Sequence, residues 1–232
     1  MVRLGVVDST QTVVWALAER GARDRTVVVA DLQTAGRGRR GRSWDAASGT
    51  SLLASILVWP RLASRCLPTL SLATAVAVAG ALARVAEVRP RLKWPNDVLV
   101  GGRKIGGILL ESRIADAPVV AVGIGINLSQ RRFPPSLDGR ATSVVLEAGR
   151  AVDRDAVLSV VLEEFDHWRG RLERDGFAPV RERWLALADT IGRRVAVDGR
   201  CGVAVDVDGE GALVLHDGSL VHRVVAGAIA SP

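Results

Sequence analysis

The chain has 232 residues, 48% of them hydrophobic, and a formal net charge of +6. That length suits one large domain or one medium and one small, and the apolar content fills a sizeable core, which excludes a disordered polyelectrolyte. The positive surplus suits an anionic partner, whether nucleic acid, nucleotide or acidic protein, without choosing among them.

Met1-Val-Arg-Leu-Gly-Val-Val-Asp8 runs directly into globular sequence, so no targeting segment is expected. Arg3–Val7 predicts a strand. Asp8-Ser9-Thr10 offers helix caps before Val13, Val14 and Leu17, which recur at helical spacing as far as Arg20-Gly21. Thr26–Asp31 is β-branched and apolar, a buried strand. A loop from Gln33 to Trp44 follows, with glycines at 36, 38 and 41 and arginines at 37, 39, 40 and 42. Residues 51–58 predict another strand, closed by Trp59-Pro60. Residues 66–83 carry no charge and approach the length of a short membrane span. They are mostly alanine, broken by Pro68, Thr69, Ser71 and Thr74, so a buried helix from about Leu67 to Val88 is expected, with no membrane partner.

Beyond Pro90 the texture is β. Arg91–Trp94, Val98–Val100, Lys104–Ser112 and Pro118–Asn127 are short strand-like runs, the middle two joined by a Gly101-Gly102 hairpin turn. Residues 129–140 read as a loop. Asp153 caps an amphipathic helix reaching about Arg174, and a second covers Pro179–Ala188. From Gly192 onward, alternating Val, Leu and Ile are punctuated at Asp198-Gly199, Asp208-Gly209 and Asp217-Gly218. That pattern predicts a small antiparallel barrel of about 40 residues. Helices are grouped beside β-meanders instead of alternating with strands, so the fold class is α+β. Domain bounds of 1–188 and 189–232 follow.

Two stretches carry candidate chemistry. Gly36–Gly41 has the literal form G-x-G-x-x-G, but a dinucleotide site needs a helix starting at its third glycine, and Ser43–Thr50 is polar and leads to a strand. Four guanidiniums on a glycine-rich loop suit phosphate or carboxylate forks instead, and Trp44 beside them can cover an adenine face. The second stretch is Lys93–Glu111. The only lysines of the chain, Lys93 and Lys104, and one of its two asparagines, Asn96, lie there; the other is Asn127. Lysine is a compact point charge where arginine is a planar fork, so two retained amines suit separate oxygens of a triphosphate or an acyl carboxylate. Asp97 can hold Mg²⁺ through oxygen. Gly106-Gly107 and the Gly123-x-Gly125 pair mark close backbone approach within strands.

Other machinery is lacking. There is no GxxxxGK[ST] and no GxSxG, and His167, His216 and His222 all fall in the C-terminal third. Cys66 and Cys201 are isolated, which suits reduced thiols and a cytoplasmic setting.

Gly-Arg-Gly-Arg-Arg-Gly-Arg at 36–42, Lys-Trp-Pro-Asn-Asp at 93–97, Arg-Lys-Ile-Gly-Gly-Ile-Leu at 103–109 and Gly-Ile-Gly-Ile-Asn at 123–127 together resemble biotin protein ligase. The order and spacing agree from Val6 to the end. The resemblance implies a mixed-sheet catalytic domain of the biotin/lipoate ligase type with a C-terminal SH3-like barrel. It implies a two-step reaction: biotin and Mg-ATP give biotinyl-5′-AMP and pyrophosphate, and a lysine of a biotin carboxyl carrier protein then takes the biotin. By the resemblance Lys104 and Arg39 are catalytic, at the biotin carboxylate and the α-phosphate. Ser9, Thr10, Gln11, Gln33, Arg37, Gly38, Gly107, Gly123 and Gly125 match biotin-binding positions, together with Arg39 and Lys104. Arg39, Arg42, Trp44, Lys93, Asn96 and Asn127 match the adenylate end, and Asp97 the metal. The family usually has Ser-Thr-Asn where this chain has Ser9-Thr10-Gln11, which leaves the role of the third residue open. Many bacterial members add an N-terminal helix-turn-helix; here the catalytic sequence begins at once, so no DNA binding is expected, and a monomer or weak homodimer is. The weaker readings are a lipoate or octanoate ligase or transferase and, from another class, a basic nucleic-acid-binding protein. The latter predicts steeply salt-dependent binding.

Overall fold

The computed structural model describes residues 1–114 and 117–230. Seven strands form one mixed sheet: β1 (Val2–Val7), β2 (Val27–Gln33), β3 (Ser51–Val58), β4 (Arg91–Lys93), β5 (Asp97–Val100), β6 (Arg103–Ile114) and β7 (Pro118–Asn127). Their spatial order is β1-β2-β3-β7-β6-β5-β4. Only β1 and β2 are parallel, joined through helix α1 (Thr10–Glu19); every other pairing is antiparallel. The hairpin between β5 and β6 turns at Gly101-Gly102, both at positive φ (57° and 75°), as a tight hairpin requires.

Strand alternation divides the sheet into two faces. Val27, Val29, Leu52, Ala54, Ile56 and Val58 face helix α2 (Leu67–Ala86), while Val28, Leu57 and Ala121 face α1 through Val14 and Trp15. α2 is long and apolar enough to cross a membrane, but it is packed between the sheet and helices α4 (Arg154–Asp175) and α5 (Ala178–Leu187). Side chains such as Leu70 and Leu82, fully buried there, contribute about 1.5–3 kcal/mol each relative to exposure. α2 stops at Ala86, two residues before the predicted end, with Glu87 left-handed (φ 57°). Pro90 pushes the residue before it out of helical conformation, so the helix must close early. α4 begins at its predicted cap: the Asp153 carboxylate accepts from the Ala156 N–H at 2.7 Å.

A short helix, α3 (Val144–Ala148), was not expected. Five residues are too few to show helical periodicity, and its anchors, buried Val144 and Val145, look the same in a strand.

The C-terminal segment forms a five-stranded antiparallel sheet: β8 (Arg194–Val197), β9 (Arg200–Val207), β10 (Leu213–His216), β11 (Val221–Val224) and β12 (Ile229–Ala230), in the order β11-β10-β9-β8-β12. The predicted turn at Asp198-Gly199 has both residues at positive φ. The apolar side of this sheet, including Val195, Val197, Val207, Leu213 and Leu215, belongs to the same buried cluster as the large sheet. Trp94 fastens the two, its indole N–H donating to the Gly211 carbonyl at 3.0 Å and its backbone N–H to the Thr190 hydroxyl at 2.9 Å.

Candidate active site

The site lies on the α1 side of the large sheet, where two glycines of β7 leave the surface bare. Gly125 sits between Leu53 of β3 and Gly107 of β6, and Gly123 between Ser55 and Leu109. A methyl group on Gly125 would stand 2.6 Å from Cε2 of Trp44, and one on Gly107 would stand 3.2 Å from its Cζ3. The indole therefore lies flat on a floor that exists only because these positions lack Cβ. Its Nε1–H is buried and finds no partner in the protein.

A β-bulge brings Lys104 onto this floor. Val98 pairs with Gly106 and Leu99 with Lys104, leaving Ile105 as the extra residue. Ile105 drops into the core on the α2 side. Without the bulge, Lys104 and Gly107, three residues apart, would point to opposite faces. With it, Lys104 Nζ comes 5.5 Å from the Trp44 ring centroid and 2.5 Å from an Asp97 carboxylate oxygen. The β6 backbone is braced there, because Lys104 N–H donates to the Arg140 carbonyl and Thr142 N–H to the Lys104 carbonyl, both at 2.8 Å.

Lys93 pairs across strands with Asp97, and Asp97 with Gly107, so cation, carboxylate and glycine form one row. Asn96 donates to the Ile108 carbonyl at 2.7 Å and accepts from Arg39 at 3.3 Å. Burial lowers the Arg39 pKa from the ordinary arginine value; Asp97 opposes the shift, and Arg40 and Arg42 add to it. Arg39 stays charged. A desolvated guanidinium flanked by two others gains from an incoming anion.

The arginine loop is folded down over the site. Gly38 N–H donates to the Arg42 carbonyl at 2.7 Å and Trp44 N–H to the Gly36 carbonyl at 2.9 Å, closing it on itself. Arg37 reaches Glu111 at 3.5 Å, and Arg40 reaches Asp198 on the β8–β9 turn at 2.7 Å. Arg42 is exposed. No helix begins at Gly41, so the glycine spacing there is not a dinucleotide fingerprint.

A polar cluster occupies the other end of the floor. Ser9 caps α1 and accepts from the Gln11 N–H at 3.2 Å. Thr10 donates to the Gln33 side-chain Oε1 from both N–H (2.8 Å) and hydroxyl (2.9 Å), and its hydroxyl also meets that of Ser55 at 2.8 Å. Gln11 lies over Gly123, its amide nitrogen donating to the carbonyls of Leu109 (3.4 Å) and Ala121 (3.3 Å). Asn127, two residues beyond Gly125, donates to the Thr142 carbonyl at 2.9 Å.

The structure thus gathers the predicted residues into two groups on one floor: Ser9, Thr10, Gln11, Gln33 and Gly123 at one end, and Arg39, Trp44, Lys93, Asn96, Asp97, Lys104, Gly107 and Gly125 at the other. Ser55, Glu111, Thr142 and Asp198 brace these groups and were not singled out. For Ser55 a signal existed, since Ser51 and Ser55 are the only polar residues of an apolar strand on the same face. Asp198 carried none, because its interaction with Arg40 depends on how the second sheet packs. Among the described residues no group of three or more His, Cys, Asp or Glu side chains is arranged to hold a metal.

A glycine floor, a desolvated arginine and a bulge-presented lysine suit an enzyme site for a small anionic substrate. The model of the biotin/lipoate A/B protein ligase family matches residues 4–129. The bifunctional ligase/repressor BirA of Bacillus subtilis is 35% identical over 97% of this chain and 71% of its own length. The biotin–[acetyl-CoA-carboxylase] ligase of Paracoccus denitrificans is 37% identical over 92% of each chain. The biotin protein ligase of Aquifex aeolicus in complex with biotin and ATP superposes with a TM-score of 0.87 at 30% identity, covering 99% of this chain and 97% of that one. The chain belongs to the biotin/lipoate A/B protein ligase family.

Proposed function

We propose that this protein attaches biotin to a lysine of a biotin carboxyl carrier protein, using ATP and passing through biotinyl-5′-AMP. One observation carries the reading: Lys104 and Arg39 converge beside a glycine floor whose far end is a ring of buried hydrogen-bonding groups. A ligand with a polar head, an apolar tail and a terminal carboxylate fits that sequence of environments. The relatives named as biotin ligases, and the neighbour solved with biotin and ATP, support the same assignment.

In the first step a biotin carboxylate oxygen attacks the α-phosphorus, the new O–P bond forms, and the bond to the β-phosphate oxygen breaks to release pyrophosphate. Two anions must approach, so fixed positive charge aimed at the meeting point lowers the barrier. Lys104 and Arg39 supply it. Trp44 bounds the adenine side with Asn127, while Gly107, Gly123 and Gly125 line the acyl chain. Gly38, Arg37 and Arg42 close over the adenylate and exclude water from a hydrolysable anhydride. In the second step the neutral amine of the carrier lysine attacks the acyl carbon, an amide forms as the nitrogen gives up a proton to solvent, and AMP leaves with the electrons of the broken C–O bond. Magnesium fits this site only in part: Asp97 is a single carboxylate already joined to Lys104, which suits an ion held mostly by substrate phosphates and water. Bound there, it would neutralise phosphate charge.

We read residues 1–188 as the catalytic domain and 189–232 as an SH3-like module; the five short antiparallel strands and tight turns support this. The test is transfer of labelled biotin to a purified carrier domain. ATP-dependent labelling that vanishes when the acceptor lysine becomes arginine is expected, and no labelling with ATP and biotin present would overturn the proposal.

A further inference from the structure

β6 begins before β7 can pair with it: Gly106, opposite Ile126, is its first matched residue. Beside Lys104 the place of β7 is taken by residues 140–142, with Ala141 bridging Lys104 in parallel. This segment supplies a partner to both the N–H and the carbonyl of Lys104. One carboxylate ties the segment to the strand. Glu147, in the first turn of α3, accepts on a single oxygen from the Thr142 hydroxyl at 2.5 Å and from Arg103 Nη2 at 2.7 Å. Its other oxygen lies against the β5–β6 turn, 3.6 Å from where a methyl group on Gly101 would stand. The Glu147 side chain is only 12% exposed, so these charge-assisted bonds are shielded as a surface ion pair is not. α3 is itself anchored, because Val144 and Val145 are buried and the Val145 N–H donates to the Leu128 carbonyl at 2.9 Å, just past β7.

We propose that Glu147 is a positioning residue for activation of the acid: its carboxylate clamps residues 140–142 to β6 and thereby sets where the Lys104 amine stands over the floor. The proposal rests on the biotin-ligase reading, in which Lys104 meets the acid carboxylate and the α-phosphate. The two arms of the clamp are Arg103, one residue before Lys104, and Thr142, whose N–H holds the Lys104 carbonyl. Lys104 sits beside a bulge, so regular pairing with β5 does not fix its direction. The clamped segment supplies that restraint. The Thr142 carbonyl also receives the Asn127 amide, so loosening the clamp reaches the adenylate end as well. The two effects separate kinetically. A displaced Asn127 weakens nucleotide binding and raises KM for ATP, whereas a displaced Lys104 withholds charge from the reacting atoms and lowers kcat.

The test follows biotin-dependent exchange of labelled pyrophosphate into ATP in the unsubstituted protein, Glu147→Ala, Lys104→Ala and the double variant. Glu147→Ala is expected to lower kcat about 10- to 100-fold, the cost of moving a catalytic group by up to about 1 Å. In the Lys104→Ala background the same substitution should cost about twofold or less, because it acts through the missing amine. A merely structural defect would cost the same factor in both backgrounds. Thr142→Val, which removes the hydroxyl arm and keeps the backbone bonds, guards against a Glu147→Ala that fails to fold. Its kcat should also fall, and again only where Lys104 is present. A kcat unchanged within about twofold in the folded variants, or an equal loss with and without Lys104, overturns the inference and leaves the ligase reading standing. An unsubstituted protein that shows no exchange with biotin overturns both.

Discussion

Replacing Gly125 by alanine puts a methyl group where the Trp44 indole now lies. The new Cβ would be 2.6 Å from Cε2, 2.7 Å from Cζ2 and 3.0 Å from Cδ2, whereas ordinary van der Waals separation begins at 3.4 Å. β7 is paired on both sides, with β3 and β6, so the strand cannot retreat and the ring must lift by most of an ångström. Forcing extra volume into a packed site costs about 1–3 kcal/mol. Alanine returns roughly 0.5–1 kcal/mol by its lower backbone entropy in a strand. The net loss is then at most about 2.5 kcal/mol, and at about 2–4 °C per kcal/mol for a chain of this size the melting temperature drops by at most about 10 °C. A displaced indole also forfeits its stacking on the nucleotide, about 0.5–1.5 kcal/mol for an aromatic pair, which raises KM for ATP about 2- to 13-fold. Pyrophosphate exchange as a function of ATP concentration, with a thermal melt alongside, reads both effects. Combining Gly125→Ala with Trp44→Ala should add little to either alone, because both act through the same ring. Unchanged melting and unchanged KM in Gly125→Ala, or fully additive effects in the double variant, would refute the claim that the glycine exists to seat the indole.

Lys104→Ala should reduce adenylate formation by orders of magnitude, since removing a fixed charge from a water-excluded site costs about 3 kcal/mol or more. Its melting temperature should barely move, because the Lys104–Asp97 pair is partly exposed; near-normal exchange would remove Lys104 from the mechanism. Lys104→Arg should also be slow, a planar fork being a poor substitute for a point charge at the end of a bulged strand. Proteolytic cleavage within residues 34–43 should slow when biotin and ATP are added together, and Asp198→Lys, which removes the partner of Arg40, should speed it in their absence; equal rates throughout would count against a closing loop. Burial opposes the ionised form of Asp208, but bonds from Arg223 and from the N–H groups of Glu210 and Ala212 outweigh it and lower its pKa. A depressed carboxylate stabilises the fold above its unfolded pKa, about 3.9, and that contribution disappears as pH falls through the folded value. Melting followed from pH 7 downward should therefore show Asp208→Asn already destabilised at neutrality and less sensitive to acid than the unsubstituted protein; parallel curves would contradict this.

Much of this architecture is legible in the chain itself. Ser51–Val58 and Pro118–Asn127 are largely apolar runs between turn residues, and Asp153 and Gly101-Gly102 act through local backbone chemistry, so their positions follow from short-range rules. The site residues announced themselves by type: two lysines in an arginine-rich chain and glycines inside strands. What the residues alone hide is geometry created by pairing. The bulge at Ile105, which turns Lys104 onto the floor, depends on the register of β5 against β6. The Arg40–Asp198 ion pair depends on the packing of two sheets far apart in sequence. The seating of Trp44 on Gly125 and Gly107 likewise joins a loop to strands some eighty and sixty residues further along the chain.

The most direct measurement is exchange of labelled pyrophosphate into ATP, dependent on an added acid, with biotin, lipoate and octanoate compared in turn. Exchange supported by biotin and by neither of the others is the predicted result. It would establish acyl-adenylate formation with biotin as the acid. Exchange with lipoate or octanoate but not biotin, or no exchange with any of the three, would contradict it.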